Sequence, residues 1–121
     1  MLILGIDTVT DQVGCALGDQ DGVVAQQHLR APRRHAEALA PQIRSVCGQA
    51  DVPLTKVGAV AVDIGPGLFT GLRVGFTTAI TIASALEVPM VGITSLDLLA
   101  HAAHLTDRLI AAAVDARRGE V

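Results

Sequence analysis

The amino-terminal part of the chain alternates apolar and polar residues, and the period of the pattern then changes. Short apolar runs separated by turn-rich stretches predict three strands joined by hairpins, at residues 2–7, 13–17 and 23–29. Between residues 35 and 47 the apolar positions recur every three or four residues, which predicts an amphipathic helix. Leu39 and Ile43 lie on its apolar face, and Pro41 either kinks this helix or marks its start.

The rest of the chain predicts alternating strands and helices. Residues 57–64 are almost wholly apolar, as in a strand buried on both faces of a parallel sheet. A glycine-rich turn and a long uncharged helix follow, then a strand at 89–93, a helix with Ser95 as its N-cap, and a strand at 109–114. The order β-β-β-α-β-α-β-α, with a further strand, predicts an α/β fold with a mixed sheet and helices on both faces. Actin-like and ribonuclease-H-like domains have this order, which alone implies no activity.

The junction between the apolar strand and the long helix begins with a turn, at residues 65–67, that has no bulky side chain. Its members are Gly65, Pro66, Gly67, Leu68, Phe69, Thr70, Gly71, Leu72 and Arg73. The glycines permit positive φ, and Thr70 is predicted to cap the helix. Unpaired amides near Gly71 and Leu72, with Arg73 one turn further, predict an anion-sized site. The alternative is a tight turn that simply needs glycine; neither a Walker A loop nor a dinucleotide-binding pattern is present.

The long helix carries a stripe of mostly small residues and is apolar nearly all round. The stripe consists of Gly71, Gly75, Thr78, Ile82 and Ala85. Small residues at this spacing permit close approach of a second helix, and a helix without a polar face must be buried on both sides. We therefore predict that the stripe docks onto a partner chain. On this hypothesis Gly75→Leu would abolish partner binding and leave the isolated fold intact.

Composition supports association and argues against direct nucleic-acid binding. The 121 residues are 50% hydrophobic and 17% charged, which is apolar for one domain, and the net charge is −3. Aromatic residues make up 2%, with no Trp or Tyr, and no broad basic patch is visible. Cys15 and Cys47 fit core positions in a reducing compartment better than a disulfide. Without a signal peptide or a long enough apolar segment, the expected location is the cytoplasm, away from membranes.

Two enzymatic alternatives follow from the fold class. Asp7 and Asp63 end strands that would be neighbours, so with Asp115 they could hold Mg²⁺ in a ribonuclease-H-like nuclease. Aspartates at strand ends also commonly cap turns. The second alternative is a weak actin-like ATPase, but the turn after Asp7 has no glycine, and Asp11 would repel phosphate.

Four segments of the chain are informative when taken together: residues 4–8 (LGIDT), 35–41 (HAEALAP), 65–75 (GPGLFTGLRVG) and 115–121 (DARRGEV). They resemble the amino-terminal domain of the TsaB (YeaZ) family, which serves threonylcarbamoyl-adenosine formation in tRNA. Position 68 is Leu where the family usually has Ser. The chain also stops where the family continues, so we expect an actin-like domain at 1–108 and the start of a second lobe at 109–121.

The resemblance implies an actin-like fold and a non-catalytic role. The expected partner is the related TsaD subunit, which holds the metal and transfers threonylcarbamoyl to the adenosine beside the anticodon; an ATPase, TsaE, joins them. No cofactor or metal is expected on this chain, because ATP and the metal belong to partner subunits, and tRNA contact would be indirect. The family's first two helices form the contact, which implies a role for Leu39 and Ile43 beside the stripe. Alone, the chain is expected to form a homodimer.

Overall fold

In the computed structural model, residues 1–101 are described. The strands are β1 (Ile3–Asp7), β2 (Gln12–Asp19), β3 (Gly22–Arg30), β4 (Ala59–Asp63) and β5 (Met90–Ile93). The helices are α1 (His35–Ala50), α2 (Phe69–Leu86) and α3 (Ser95–His101), with a 3₁₀ turn at Leu54–Lys56. The predicted order is confirmed within this range. The expected strand at 109–114 and the expected domain boundary at 108 lie outside the described residues.

The strands form one five-stranded mixed sheet in the order β3-β2-β1-β4-β5. Strands β1 and β2 pair antiparallel, as do β2 and β3, because short turns join them. Strand β1 pairs parallel with β4, and β4 with β5, after helical crossovers. Within the register of β1 and β4, Ile6 lies opposite Val62, so both strands end side by side at Asp7 and Asp63. The α/β class and the mixed sheet are confirmed.

The core lies between the sheet and the helices α1 and α2. Alternate residues of the central strands point into it, including Leu4, Ile6, Val13, Leu17, Val60 and Val62. Helix α1 packs on β2 and β3, α2 packs on β4 and β1, and the two helices contact each other. Leu39 and Ile43 of α1 are buried in this core, at 1% and 5% exposure. Burying a side chain of this kind stabilises a fold by about 1.5–3 kcal/mol.

The helix boundaries decide one open alternative and differ from two sequence-based expectations. Of the two alternatives for Pro41, the structure places it inside α1, which begins at His35 as predicted. Helix α2 begins at Phe69, so Thr70 is a helical residue and not its cap; Leu68 is the capping residue and makes no side-chain capping bond. At α3, Thr94 Oγ1 accepts the capping hydrogen bond from the Asp97 N–H at 3.1 Å, and Ser95 is already helical.

Helix α2 is 18 residues long, and its mean hydropathy of 1.3 would suffice, by length and composition alone, to cross a membrane. Its buried residues lie against the sheet. A core helix of a soluble domain meets the same length and composition test, so this finding is weak support for a membrane span.

Candidate functional site

The turn that follows β1 lies beneath the start of α2, and three glycines make this close approach possible. We call residues 8–10 the β1 turn. A Cβ at Gly71 would collide with the Thr8 carbonyl oxygen, and one at Gly67 with the Val9 carbonyl oxygen. A Cβ at Gly75 would collide with Thr8 Oγ1. These glycines are therefore needed for packing within the chain.

Hydrogen bonds join the β1 turn to both helices. The buried Thr8 hydroxyl donates to the Gly71 carbonyl at 2.5 Å. The Leu68 N–H donates to the Val9 carbonyl at 2.6 Å. On the other side, His35 Nε2 lies 2.6 Å from the Thr10 carbonyl oxygen, which can only accept a proton, so Nε2 is the donor. His35 itself is only 5% exposed.

The small-residue stripe of α2 that faces inward differs from the predicted one. The buried residues are Gly71, Gly75, Ala79 and Ala83, a strict four-residue repeat that lets the helix lie close to β1 and β4. Of the predicted stripe, Gly71 and Gly75 belong to this inner face, Thr78 and Ile82 are half-buried, and Ala85 is exposed. The five residues therefore do not form one continuous surface.

The expectation that Gly75→Leu would leave the isolated fold intact is wrong. It assumed that a side chain at position 75 would meet only a partner helix. In the structure the first added atom meets Thr8 Oγ1, and the next nearest atom is Ile6 Cγ2 at 3.4 Å. A leucine there would separate α2 from the sheet, because close-packed cores accommodate extra atoms poorly.

Helix α2 is apolar on its outward side as well, and this surface is exposed. We call Phe69, Arg73, Phe76 and Ile80 the α2 outer face. Phe69 is 70% exposed, Phe76 40% and Ile80 41%. The Arg73 guanidinium lies over the Phe69 ring, 5.6 Å from its centroid. Phe76 and Ile80 were missed as site residues, although the spacing 69, 73, 76, 80 marks one helix face.

The glycine-rich turn adopts a backbone conformation that favours glycine, and one of the amide donors of the predicted anion site is already paired. Gly65 has φ 92°, a conformation that favours glycine, and the Gly65–Pro66 peptide is cis. The Leu72 N–H donates within the helix to the Leu68 carbonyl at 2.9 Å, so it is not an unpaired donor. Arg73 is exposed and lies over Phe69. Nothing in this geometry favours the anion site over a turn that needs glycine for close packing.

Asp7 and Asp63 do lie together, as predicted, at the carboxyl ends of neighbouring strands. Burial, and then the Asp63 carboxylate, raise the pKa of Asp7, partly offset by the hydrogen bond from the Val9 N–H. Asp63 is 4% exposed, and its Oδ1 accepts bonds from the Gly65 N–H at 2.9 Å and the Ser95 hydroxyl at 2.7 Å. Asp63 therefore caps the turn that follows its strand, which is the alternative to a metal-binding role for this residue.

A metal-dependent nuclease needs more ligands than this pair. Among residues 1–101, no group of three or more His, Cys, Asp or Glu side chains is placed to hold a metal ion. Asp115, the third ligand of that hypothesis, lies outside the described residues. Apart from the proximity of Asp7 and Asp63, the part of the chain that the structure describes adds no observation in favour of the nuclease.

A cavity of about 460 Å³ lies between β3 and α1 and was not anticipated. It is lined by Gln27, Leu29, Arg34, Glu37, Ala38, Pro41, Gln42 and Ser45. The Gln42 amide donates to the Val13 carbonyl at 3.0 Å, while its buried Oε1 has no hydrogen-bond partner among the described residues.

Both cysteines are free thiols. Burial, with a smaller effect of the neighbouring Cys47, raises the pKa of Cys15 to about 11.

Comparisons with known proteins agree with this architecture. The family described as TsaD, tRNA N6-adenosine threonylcarbamoyltransferase, matches residues 18–121. The tRNA threonylcarbamoyladenosine biosynthesis protein TsaB of Escherichia coli (strain K12) is 37% identical over 100% of this chain and 53% of its own length. The tRNA N6-adenosine threonylcarbamoyltransferase of Zymomonas mobilis is 30% identical over 90% of this chain and 34% of its own length.

Comparison with solved structures also identifies YeaZ-type proteins as similar to this chain. YeaZ from Pseudomonas aeruginosa superposes with a TM-score of 0.80 at 33% identity, over 85% of this chain and 48% of that chain. Fold and matches define an actin-like, ribonuclease-H-like domain. The chain belongs to the family described as TsaD, tRNA N6-adenosine threonylcarbamoyltransferase, and to the TsaB (YeaZ) group that its motifs resembled. It spans about half the length of the curated TsaB relatives that it matches.

Proposed function

We propose that this chain is a non-catalytic subunit of the system that makes threonylcarbamoyl-adenosine in tRNA, and that it docks onto a TsaD-type transferase. The relatives matched over the full chain are named TsaB biosynthesis proteins, which supports the subunit role. In this proposal ATP and the metal belong to partner subunits, a TsaE-type ATPase joins the complex, and tRNA is contacted through the partner. The proposed location is the cytoplasm.

The observation that carries the docking proposal is the α2 outer face. Two aromatic rings and an isoleucine remain exposed on a helix whose inner face is already packed on the sheet. Aromatic and arginine side chains on one surface are typical of interface hot spots. The face thus replaces the stripe from Gly71 to Ala85 as the proposed centre of the interface. Leu39 and Ile43 would act from the core, by supporting α1 beside it.

The test is a binding titration of the full chain with the TsaD-type protein of the same source. Phe76→Glu places a charge in the proposed interface, and we expect the dissociation constant to rise by about 30-fold or more, as for a hot-spot residue. Val23→Glu is the matched control, because Val23 is 62% exposed on β3, away from α2. Equal affinity of both variants and wild type would contradict docking through this face.

A second measurement addresses the non-catalytic role. The purified chain is incubated with threonylcarbamoyl-adenylate and tRNA, with and without the TsaD-type protein. We expect modified adenosine only when the transferase is present. Light scattering on the chain alone, at several concentrations, tests the proposed homodimer; the Phe76→Glu variant should then be monomeric if the same face forms it.

A further inference from the structure

The β1 turn is the one short segment, among the described residues, that bonds to the beginnings of both α1 and α2. Thr8 donates to the Gly71 carbonyl in the first turn of α2. Two residues later, the Thr10 carbonyl accepts from His35, the first residue of α1. The first contact joins the Thr8 side chain to the backbone of α2, and the second joins the His35 side chain to the backbone of the β1 turn, so each helix is bonded to this turn close to its first residue.

The beginnings of the two helices also contact each other directly. A Cβ at Gly71 would lie 3.1 Å from the His35 ring, so α1 and α2 meet directly above the β1 turn. The Leu68 N–H donates to the Val9 carbonyl between the two other bonds. Three consecutive residues of one turn therefore bond, in order, to α2, to the residue before α2, and to α1.

The two helices otherwise rest on different parts of the sheet. Helix α1 packs mainly on β2 and β3, whereas α2 packs on β4 and β1. Their relative position consequently depends on the β1 turn, to which both helices are bonded. Any surface formed by the two helices together requires that position to be fixed before a partner binds, because ordering it on binding would reduce affinity.

We propose that Thr8 and His35 are positioning residues, which align α1 and α2 for partner docking without touching the partner. This inference rests on the proposed function, since it concerns the surface that meets the transferase. Thr8 is 1% exposed and His35 is 5% exposed, so neither can contribute much contact area of its own. Their effect must pass through the helices.

The first experiment substitutes Thr8 in the full chain and measures two quantities, the affinity for the TsaD-type protein and the distance between the helices. Thr8→Val keeps the shape of the side chain and removes the donor, whereas Thr8→Ser keeps the donor. We expect Thr8→Val to weaken binding at least about fivefold, the equivalent of one neutral hydrogen bond, and Thr8→Ser to bind like wild type. Thr55→Val, at an exposed threonine of the 3₁₀ turn, is the matched control.

The distance is measured by pulsed electron resonance between spin labels at exposed positions of the helices, Arg44→Cys on α1 and Ser84→Cys on α2. Cys15 and Cys47 are replaced by alanine in this background. Thr8→Val should broaden or shift the distance distribution, and Thr8→Ser should restore it. A purely structural role would lower stability without moving this distance. If Thr8→Val folds poorly, His35→Gln, which keeps a donor, is compared with His35→Ala in the same two measurements.

The outcomes separate the two proposals. If the wild-type chain does not bind the transferase, the proposed function is wrong, and with it the claim that this alignment serves docking. If the wild type binds and Thr8→Val binds equally well, only the present inference is overturned. Weaker binding with an unchanged helix distance also overturns it, because Thr8 would then act by some route other than alignment.

Discussion

The contact between Thr8 and Gly75 can be tested by a double-mutant cycle that isolates it from the rest of the core. The perturbations are Gly75→Ala, Thr8→Ala and both together. A Cβ at position 75 collides with Thr8 Oγ1, the atom that donates to the Gly71 carbonyl. Once Thr8 Oγ1 is removed, the nearest atoms are Ile6 Cγ2 at 3.4 Å and the Thr8 Cβ at 3.5 Å, which is ordinary van der Waals contact.

The magnitudes follow from three effects. Alanine in place of a helical glycine contributes about 1 kcal/mol of stability. Overpacking against Thr8 costs about 1–3 kcal/mol, and displacement of its hydroxyl costs about 1 kcal/mol more. Gly75→Ala should therefore destabilise the wild-type fold by about 1–3 kcal/mol. In the Thr8→Ala background the same change should stabilise it by about 1 kcal/mol, so the coupling is about 2 kcal/mol or more.

The assay is urea unfolding followed by circular dichroism, with the free energy of unfolding obtained by linear extrapolation. Gly48→Ala is the control, since Gly48 lies in α1 and an added Cβ there meets nothing within 4 Å among the described residues. This control should stabilise the fold by about 1 kcal/mol whether or not Thr8 is present. Additivity of Gly75→Ala and Thr8→Ala to within about 0.5 kcal/mol would refute the packing described here.

The remaining predictions concern ionisable groups. Because burial and Asp63 raise the pKa of Asp7, the folded state retains a proton that the unfolded state loses, so stability falls as pH rises from the ordinary value of 3.8 through the raised pKa. Asp7→Asn should remove this loss of stability and stabilise the fold at pH 7, with little effect below the ordinary pKa of 3.8. The measurement is the urea midpoint of unfolding as a function of pH. An unchanged pH profile of the midpoint would contradict the prediction. Cys15, with its pKa raised to about 11, should resist alkylation by iodoacetamide in the folded chain at pH 8, whereas the half-buried Cys47 should react first. Mass spectrometry of the peptides distinguishes the two thiols. Equal rates of alkylation would be inconsistent with the burial of Cys15.

The proposed docking surface explains why a chain so rich in apolar residues leaves some of them on one helix. Phe69, Phe76 and Ile80 are exposed together on α2, and Arg73 lies among them. On this reading, the TsaB-type chain contributes a preformed helix face, and the transferase contributes the chemistry. The β1 turn would then matter for function through geometry, because Thr8 is buried and its hydroxyl bonds to the backbone of α2.

Local pattern was sufficient for the order of the elements. Apolar alternation, the turn residues and the change of period after residue 30 predicted every strand and helix described between residues 1 and 101, with ends that differ by a few residues. The neighbouring ends of β1 and β4 followed from right-handed crossover connections, and so did the proximity of Asp7 and Asp63. Family membership could also be inferred from the sequence, because the motifs of the family are short and contiguous.

The orientation of α2 could not be predicted in this way. The helix is apolar nearly all round, so its sequence has no polar face to indicate which side is inside. The size of the side chains determined the orientation of α2. The face that packs on the sheet has the smallest residues, because the backbones approach most closely there; these residues are Gly71, Gly75, Ala79 and Ala83. The larger apolar residues were left outside, where sequence reasoning had expected the glycines.

The role of Thr8 likewise depended on the tertiary structure. Its partner, Gly71, is 63 residues away in sequence, and no periodicity connects a turn after the first strand with a helix formed much later. Sequence by itself determined the elements, their order and the family, because these depend on local preference and contiguous motifs. Tertiary structure alone decided which glycines pack internally, which face of α2 remains exposed, and which buried side chains align the two helices, because these depend on distances between segments remote in sequence.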